Sequence, residues 1–478
     1  MVSSACGASF AQLLLSADNS SAAMACDFAR SLVFPIITNP LGTAVPRYHR
    51  LFASNINVQV DDDGLKEYRN AALVIGASDG VLGALVHLIT DIHGGGLRPV
   101  ELRRSAMQIL AAIAHTVAYW DSKIKNCGKG IETMDESVLR LHEKVGIVLA
   151  ILEDEHAAEV ISKSFSSATI DSLNTSRDSP NSQLKEASAL AVCAMSSCSP
   201  SMANTFINSN ILGSLISICA DDGFNTPSKR GNWSSRRLPM LEAVAAILVQ
   251  GWKLMQNNVA TRMLGEESGS GSSSRPLEVL LEALDAGIVP LISRILNSAQ
   301  DFSPADKGYA DTRTKIAACH CVSAMFGIGR GDERNIGFSR IFEAMGNRHR
   351  IISQILYLLG SIVPEVQNNA SQGRSIEKDI PLLQLLEANL LSAGSICGSE
   401  FCSFGSMDFH GDYDMSPVST QFSNNMQAIS LILLDYNKFA FQHLRSSNKK
   451  HSHHLIGFRC HRKRRFCDAI SRDMCYYI

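Results

Sequence analysis

Residues Gly76-Ala77-Ser78-Asp79-Gly80 fit the spacing G-x-S-x-G. On a strand, sharp turn and helix, that spacing lifts a serine hydroxyl into reach of a downstream histidine and carboxylate for nucleophilic attack. The same entry occurs four more times in this chain without the serine, so the segment reads as a helix start capped by Ser and Asp. Near the other end lie His451, His453, His454, Cys460, His461 and Cys467. Structural zinc needs ligands paired at short, fixed spacings, and the one cysteine pair here, Cys460 and Cys467, is too widely separated. In Cys319-His320-Cys321 the two thiols are two residues apart and diverge on a helix. The sequence assigns no catalytic, cofactor-binding or metal-binding residue, and it implies no cofactor.

The stretch 72–80 also resembles the nucleotide loop of short-chain dehydrogenases, where glycines let the backbone approach a pyrophosphate at a helix N-terminus. Tyr119 and Lys123 form a matching Y-x-x-x-K. The pair follows Gly76 too closely to leave room for intervening βα units, and the loop lacks a final G-x-G. A nucleotide-dependent reductase is therefore the alternative reading, not the leading one. Lys449-Lys450 followed by Arg462-Lys463-Arg464-Arg465 has the layout of a bipartite nuclear-import signal. A solvated basic tail or an alternative terminus fits the same residues. Lys229 to Arg237 joins charge to Trp233 and reads as a solvated insert loop, with contact to phosphate or an acidic partner as the second option.

The elements that position these residues come from composition and periodicity. Of 478 residues, 45% are hydrophobic and only 6% aromatic, so the core is built from Ala, Leu, Ile and Val, which suits closely packed helices. The net charge of −2 is uneven. Residues 442–478 carry nine Lys or Arg against Asp468 and Asp473, leaving a mildly acidic body unlike a uniformly basic nucleic-acid binder. The thirteen cysteines show no CxxC pair, which points to a reducing compartment, cytoplasmic and/or nuclear. No Lys or Arg precedes Arg30, so no secretory n-region is expected, and no apolar run of about 18 residues predicts a membrane span.

Five octets superpose without gaps: 82–89, 145–152, 212–219, 289–296 and 352–359. Apolar residues fall at offsets 0, 3, 6 and 7 in each, one face of an α-helix. Gly or Pro holds offset 1 in four of them, which suits a helix start or a close approach. Ala-rich helices are predicted to follow, beginning at Ala106, Ala187, Ala243, Ala318 and Ala388. Small residues there let stacked helix axes come close.

The pair resembles the armadillo repeat. Asp285-Ala286-Gly287-Ile288-Val289-Pro290 continuing to Leu296 is similar to that family's second helix, and Glu101 to Ala106 with Ile109-Leu110 to its third. A HEAT-type repeat is the neighbouring possibility. The resemblance implies an all-α, right-handed α-α superhelix, an armadillo-like solenoid with long inserted loops. It implies a non-enzymatic protein-binding scaffold or adaptor whose partners are other proteins; a nucleic-acid-associated helical repeat protein is the further alternative, with nucleic acid disfavoured by charge. The expected organisation is a capping segment over 1–65, repeats over 66–398, a polar linker over 399–424, a terminal helix over 425–442 and a basic tail over 443–478. The stretch from Gly position to following Ala exceeds the family's about 20 residues, which places the extra residues in loops along one edge. Polar stretches at 164–182, 265–274 and 403–423 are expected to lack order. Import adaptors of this family grip basic peptides with Trp and Asn ladders on third helices. Here the Asn position is matched by Ala112, Cys193, Val249 and Ala324, and Trp120, Trp233 and Trp252 are expected outside those helices. Import cargo is therefore not expected to bind.

Overall fold

The computed structural model describes residues 4–33, 35–38, 63–90, 92–93, 96–126, 136–170, 180–220, 230–263, 275–297, 307–331, 336–348 and 351–371, with single positions between 382 and 396. The expected linker, terminal helix and basic tail, and the polar stretches 265–274 and 403–423, lie outside them. The protein is all-α. Its strands among the described residues are the two-residue pair Ile92–His93 and Gly96–Leu97. The chain forms two compact units, divided after Ile288.

In the first unit, α1 (Ser4–Leu14), α2 (Asn19–Val33) and α3 (Pro35–Thr38) precede three helix triplets. These are α4 (Asp63–Gly76), α5 (Val81–Thr90) and α6 (Val100–Asn126); then α7 (Glu136–Asp154), α8 (Ala157–Ile170) and α9 (Pro180–Cys198); then α10 (Pro200–Asn208), α11 (Ile211–Ala220) and α12 (Arg230–Met263). Helix α13 (Arg275–Asp285) closes the unit. The second unit holds α14 (Ile288–Leu296) from its second residue on, then α15 (Lys307–Arg330), α16 (Ile336–Phe342), a π-helical turn (Glu343–Arg348) and α17 (Ile351–Ser371).

One backbone feature marks each triplet and recurs between α13 and α14. Gly80, His156, Asn210 and Gly287 all have positive φ, at 71°, 50°, 54° and 86°. Each stands at the turn after a first helix, and a second helix begins at the next residue. That left-handed turn reverses the chain sharply and favours Gly or Asn. His156 is the outlier by residue type.

The turns correct the register of one octet. Residues 82–89, 212–219 and 289–296 lie in second helices as expected. Residues 145–152 lie in α7, a first helix. The second helix of that triplet is α8, whose matching octet is 158–165. Its inward positions are Ala158, Ile161, Ser164 and Phe165, all buried. The expected disorder of 164–182 is overturned at both ends, because 164–170 and 180–182 are helical. Ala157, Ile161 and Phe165 at helical spacing bury enough apolar surface to order α8 despite its serines.

The glycines at offset 1 have a visible cause. The amide of Gly213 donates to Glu282 Oε1 at 2.9 Å. A Cβ on Gly83 would lie 2.7 Å from Glu155 Oε1. In both cases a carboxylate from a later first helix or its turn reaches the N-terminal turn of a second helix, where the positive helix end favours it. Gly146, misaligned with them by sequence, has open space around its Cβ position.

Third helices form the inner layer. Helix α6 packs against both α2 and α9, and α9 against α12. In parallel, α5 packs against α1 and α8, and α11 against α8 and α13. Between Leu102 and Tyr119, α6 is buried all round except at half-buried Arg104 and Gln108. Ala106, Ala111, Ala112 and Ala114 allow that close approach from several sides.

Part of the surplus expected in inserted loops is helical. The connections from second to third helix are uniform, nine residues at 91–99, 171–179 and 221–229 and ten at 297–306. That part lies in the first turns of α12 and α15. Residues 230–237 are therefore helical and not an insert loop. Helix Leu238–Asn257 is long and apolar enough to cross a membrane by length and composition, and 83% of it is buried inside the protein.

Candidate functional site

The chemical motifs read from the sequence are dispersed by the fold. Ser78 sits between two helices, not after a strand, and its hydroxyl donates to Val74 O at 2.7 Å. Helix α1 closes over the turn at Gly7, whose Cβ position is 3.1 Å from the Asp79 amide nitrogen. Tyr119 is capped by Arg69, with the guanidinium carbon 3.5 Å from the ring centroid, and by the edge of Trp120 at 5.0 Å. That cation–π stack fixes α4 on α6. Cys319, His320 and Cys321 are all wholly buried in α15, and burial pushes the Cys319 thiol up to about 12. Among the described residues no three His, Cys, Asp or Glu side chains could hold a metal. The candidate zinc residues 451–467 and the basic clusters at 449–450 and 462–465 lie outside the described residues.

The positions matched to an import ladder, Ala112, Cys193, Val249 and Ala324, are wholly buried. They face the core, so no peptide meets them. Trp120 lies within α6, and Trp233 and Trp252 lie within α12, contrary to expectation, because these helices run longer than their Ala-rich centres.

Polar side chains instead collect along the seams of the inner helices. At the C-terminal end of α9, Ser199 donates to Glu153 and accepts from the amides of Ser201 and Met202, capping α10. Gln250 of α12 donates to Ser196 O at 2.7 Å. Burial, reinforced by the Glu153 charge, pushes the Cys198 thiol well above its ordinary range. In the middle, Ser188 donates to Met107 Sδ at 2.9 Å.

The N-terminal end of the α6–α9 seam is different, because it is charged. Arg103 is 6% exposed and donates from Nη2 to Ser164 Oγ at 2.7 Å. Arg104 pairs with Glu101 at 2.7 Å and donates to the Gln183 side-chain oxygen in the first turns of α9. Lys185, on α9, is also 6% exposed, and burial pulls its pKa down. Burial likewise lowers that of Arg103. Sequence reading passed over this cluster. Its one signal was Ser164, a polar residue at an inward offset of an octet that had not been registered.

No family model matches this chain, and no curated protein matches it. Among solved structures it is similar to an engineered protein crystallised by the Northeast Structural Genomics Consortium. That likeness has 14% identity and a TM-score of 0.25, over 97% of this chain and 98% of the other. At that score it carries no argument about fold or function.

Proposed function

We propose that this chain is a non-enzymatic protein-binding scaffold or adaptor, built as an armadillo-like solenoid with a right-handed superhelical twist. The observation that carries the reading is the recurring left-handed turn at Gly80, His156, Asn210 and Gly287, each followed at once by an apolar second helix. A stack of such units extends by nearest-neighbour packing and offers extended surface rather than a reaction centre. The turn-by-turn triplet favours armadillo over the two-helix HEAT unit. Its partners are other proteins, met in the cytoplasm or nucleus. The reductase alternative loses its footing at Ser78 and Tyr119, which sit in helix packing and not in a βαβ unit. Nothing in the described residues favours a nucleic-acid partner.

The test is affinity capture with crosslinking by the full chain, beside Leu215→Asp, which places an unpaired charge in the α11 core. Partners that crosslink to residues 63–396 and are lost in the variant support the reading. Turnover of a nicotinamide nucleotide, or capture unchanged by Leu215→Asp, overturns it.

A further inference from the structure

Helices α1 and α2 take the places of a second and a third helix. Helix α1 packs against α5 as α5 packs against α8, and α2 packs against α6 as α6 packs against α9. The inward line of α1 is Gly7, Ala11 and Leu14, and that of α2 is Ala22, Ala25, Cys26 and Ala29, all buried. A preceding pair would stack on the opposite side, and there the chain is apolar yet exposed. Leu13 is 52% exposed, Met24 69% and Phe28 61%. Met24 and Phe28 lie roughly half a turn round α2 from its buried line. The exposed residues share one face with half-buried Phe10. The Phe10 and Phe28 rings meet edge to face at 6.4 Å across the two helices. Leu13 follows Phe10 by three residues on α1, and Met24 precedes Phe28 by four on α2, spacings that hold side chains on one side of a helix.

We infer that this face is a homodimer contact, with the α1–α2 pair of a second copy set against it about a two-fold axis. Charge favours a second copy over a strongly charged partner. Helix α1 carries no charged residue, and α2 carries Asp27 and Arg30, which pair at 3.3 Å. A face with one charge of each sign meets its own copy without net repulsion and offers nothing to steer a highly acidic or basic protein. Area agrees. At about 200 Å² for a fully exposed large side chain, the exposed parts of Leu13, Met24 and Phe28 leave roughly 350 Å² of apolar surface bare. One side of a standard interface buries about 800 Å², a little over half of it apolar. The patch supplies most of that apolar part, and in a two-fold contact both copies contribute the same patch.

The experiment is sedimentation equilibrium of the full chain, with amide hydrogen exchange followed against concentration. A monomer–dimer equilibrium with a Kd of about 1–100 µM is expected, as suits a small interface. Phe28→Glu and Met24→Glu should each weaken it at least tenfold, because each places an unpaired charge in the contact. Both side chains are mostly exposed in the single chain, so neither variant should unfold it. Ile147→Glu, at an apolar side chain 45% exposed on α7, should leave the dimer unchanged. Raising the concentration from about 1 to 100 µM should slow exchange in residues 8–15 and 21–31 at least threefold. Protection of α1 and α2 that does not change with concentration assigns the cover to another segment of the same chain and overturns the inference. So does a monomer at every concentration, open-ended assembly, equal dimerisation by both patch variants, or an equal loss in Ile147→Glu.

Discussion

Phe165→Ala distinguishes the register of the second triplet from its rival. Phe165 is wholly buried in α8, at the last inward position of the octet 158–165. Removing its ring takes roughly 120 Å² of apolar surface from the core, worth about 3 kcal/mol at ~25 cal/mol per Å². The cavity left behind raises the expected loss to about 3–5 kcal/mol. The control is Ile147→Ala on α7, in the octet that sequence alone places among the second helices. Ile147 is 45% exposed, so its loss costs about 0.5 kcal/mol or less. The assay is urea denaturation followed by far-ultraviolet circular dichroism, with hydrogen exchange of α8 amides read in parallel, since long arrays can unfold in parts. A Phe165→Ala midpoint within about 1 kcal/mol of the unsubstituted chain, or equal losses from the two variants, would refute the register.

The left-handed turns give an opposed pair. His156→Gly relieves a non-glycine residue at φ 50° and should stabilise by about 0.5 kcal/mol after the unfolded-state entropy is counted. Gly287→Ala has open space for its methyl group and should destabilise by about 1 kcal/mol through the backbone alone, checked by the same denaturation curves. Cys319 supplies a pH dependence. Its thiol is raised from 9.0 to about 12 in the folded chain, so its contribution is full below about pH 9 and is lost as pH rises towards 12. At pH 8 iodoacetamide should therefore leave Cys319 unmodified until denaturant is added, as read by peptide mass spectrometry. Fluorescence anisotropy with a labelled basic import peptide should show no binding at physiological salt, because Ala112, Cys193, Val249 and Ala324 have no surface to offer. Micromolar binding that survives such salt would contradict that expectation.

The legible part of the fold was the part carried by large apolar residues next to a glycine or asparagine turn. Gly80, Asn210 and Gly287 announce their second helices, and Leu, Ile and Val at offsets 0, 3, 6 and 7 do the rest. The second triplet was hidden by substitution at each of those signals. His156 stands where glycine would, Ala158 is small, and Ser164 is polar, while α7 carries a better apolar octet than its own second helix. Local pattern favours the wrong helix there, and tertiary packing overrides it. Residues 230–237 were read as a loop because charge and serine obscure periodicity, although the helix runs through them. The arginine cluster was illegible for a different reason. Arg103 and Ser164 are far apart in sequence, and their hydrogen bond is visible only in the folded chain.

The central claim is a succession of three-helix units with a right-handed rotation between them. An experimentally determined structure of the full chain tests it most directly, through the sign of the rotation that carries α4–α6 onto α7–α9 and then onto α10–α12. The account predicts a right-handed rotation at both steps, with α6 lying between α2 and α9. A closed bundle, a left-handed rotation, or α8 outside the layer that holds α5 and α11 would contradict it.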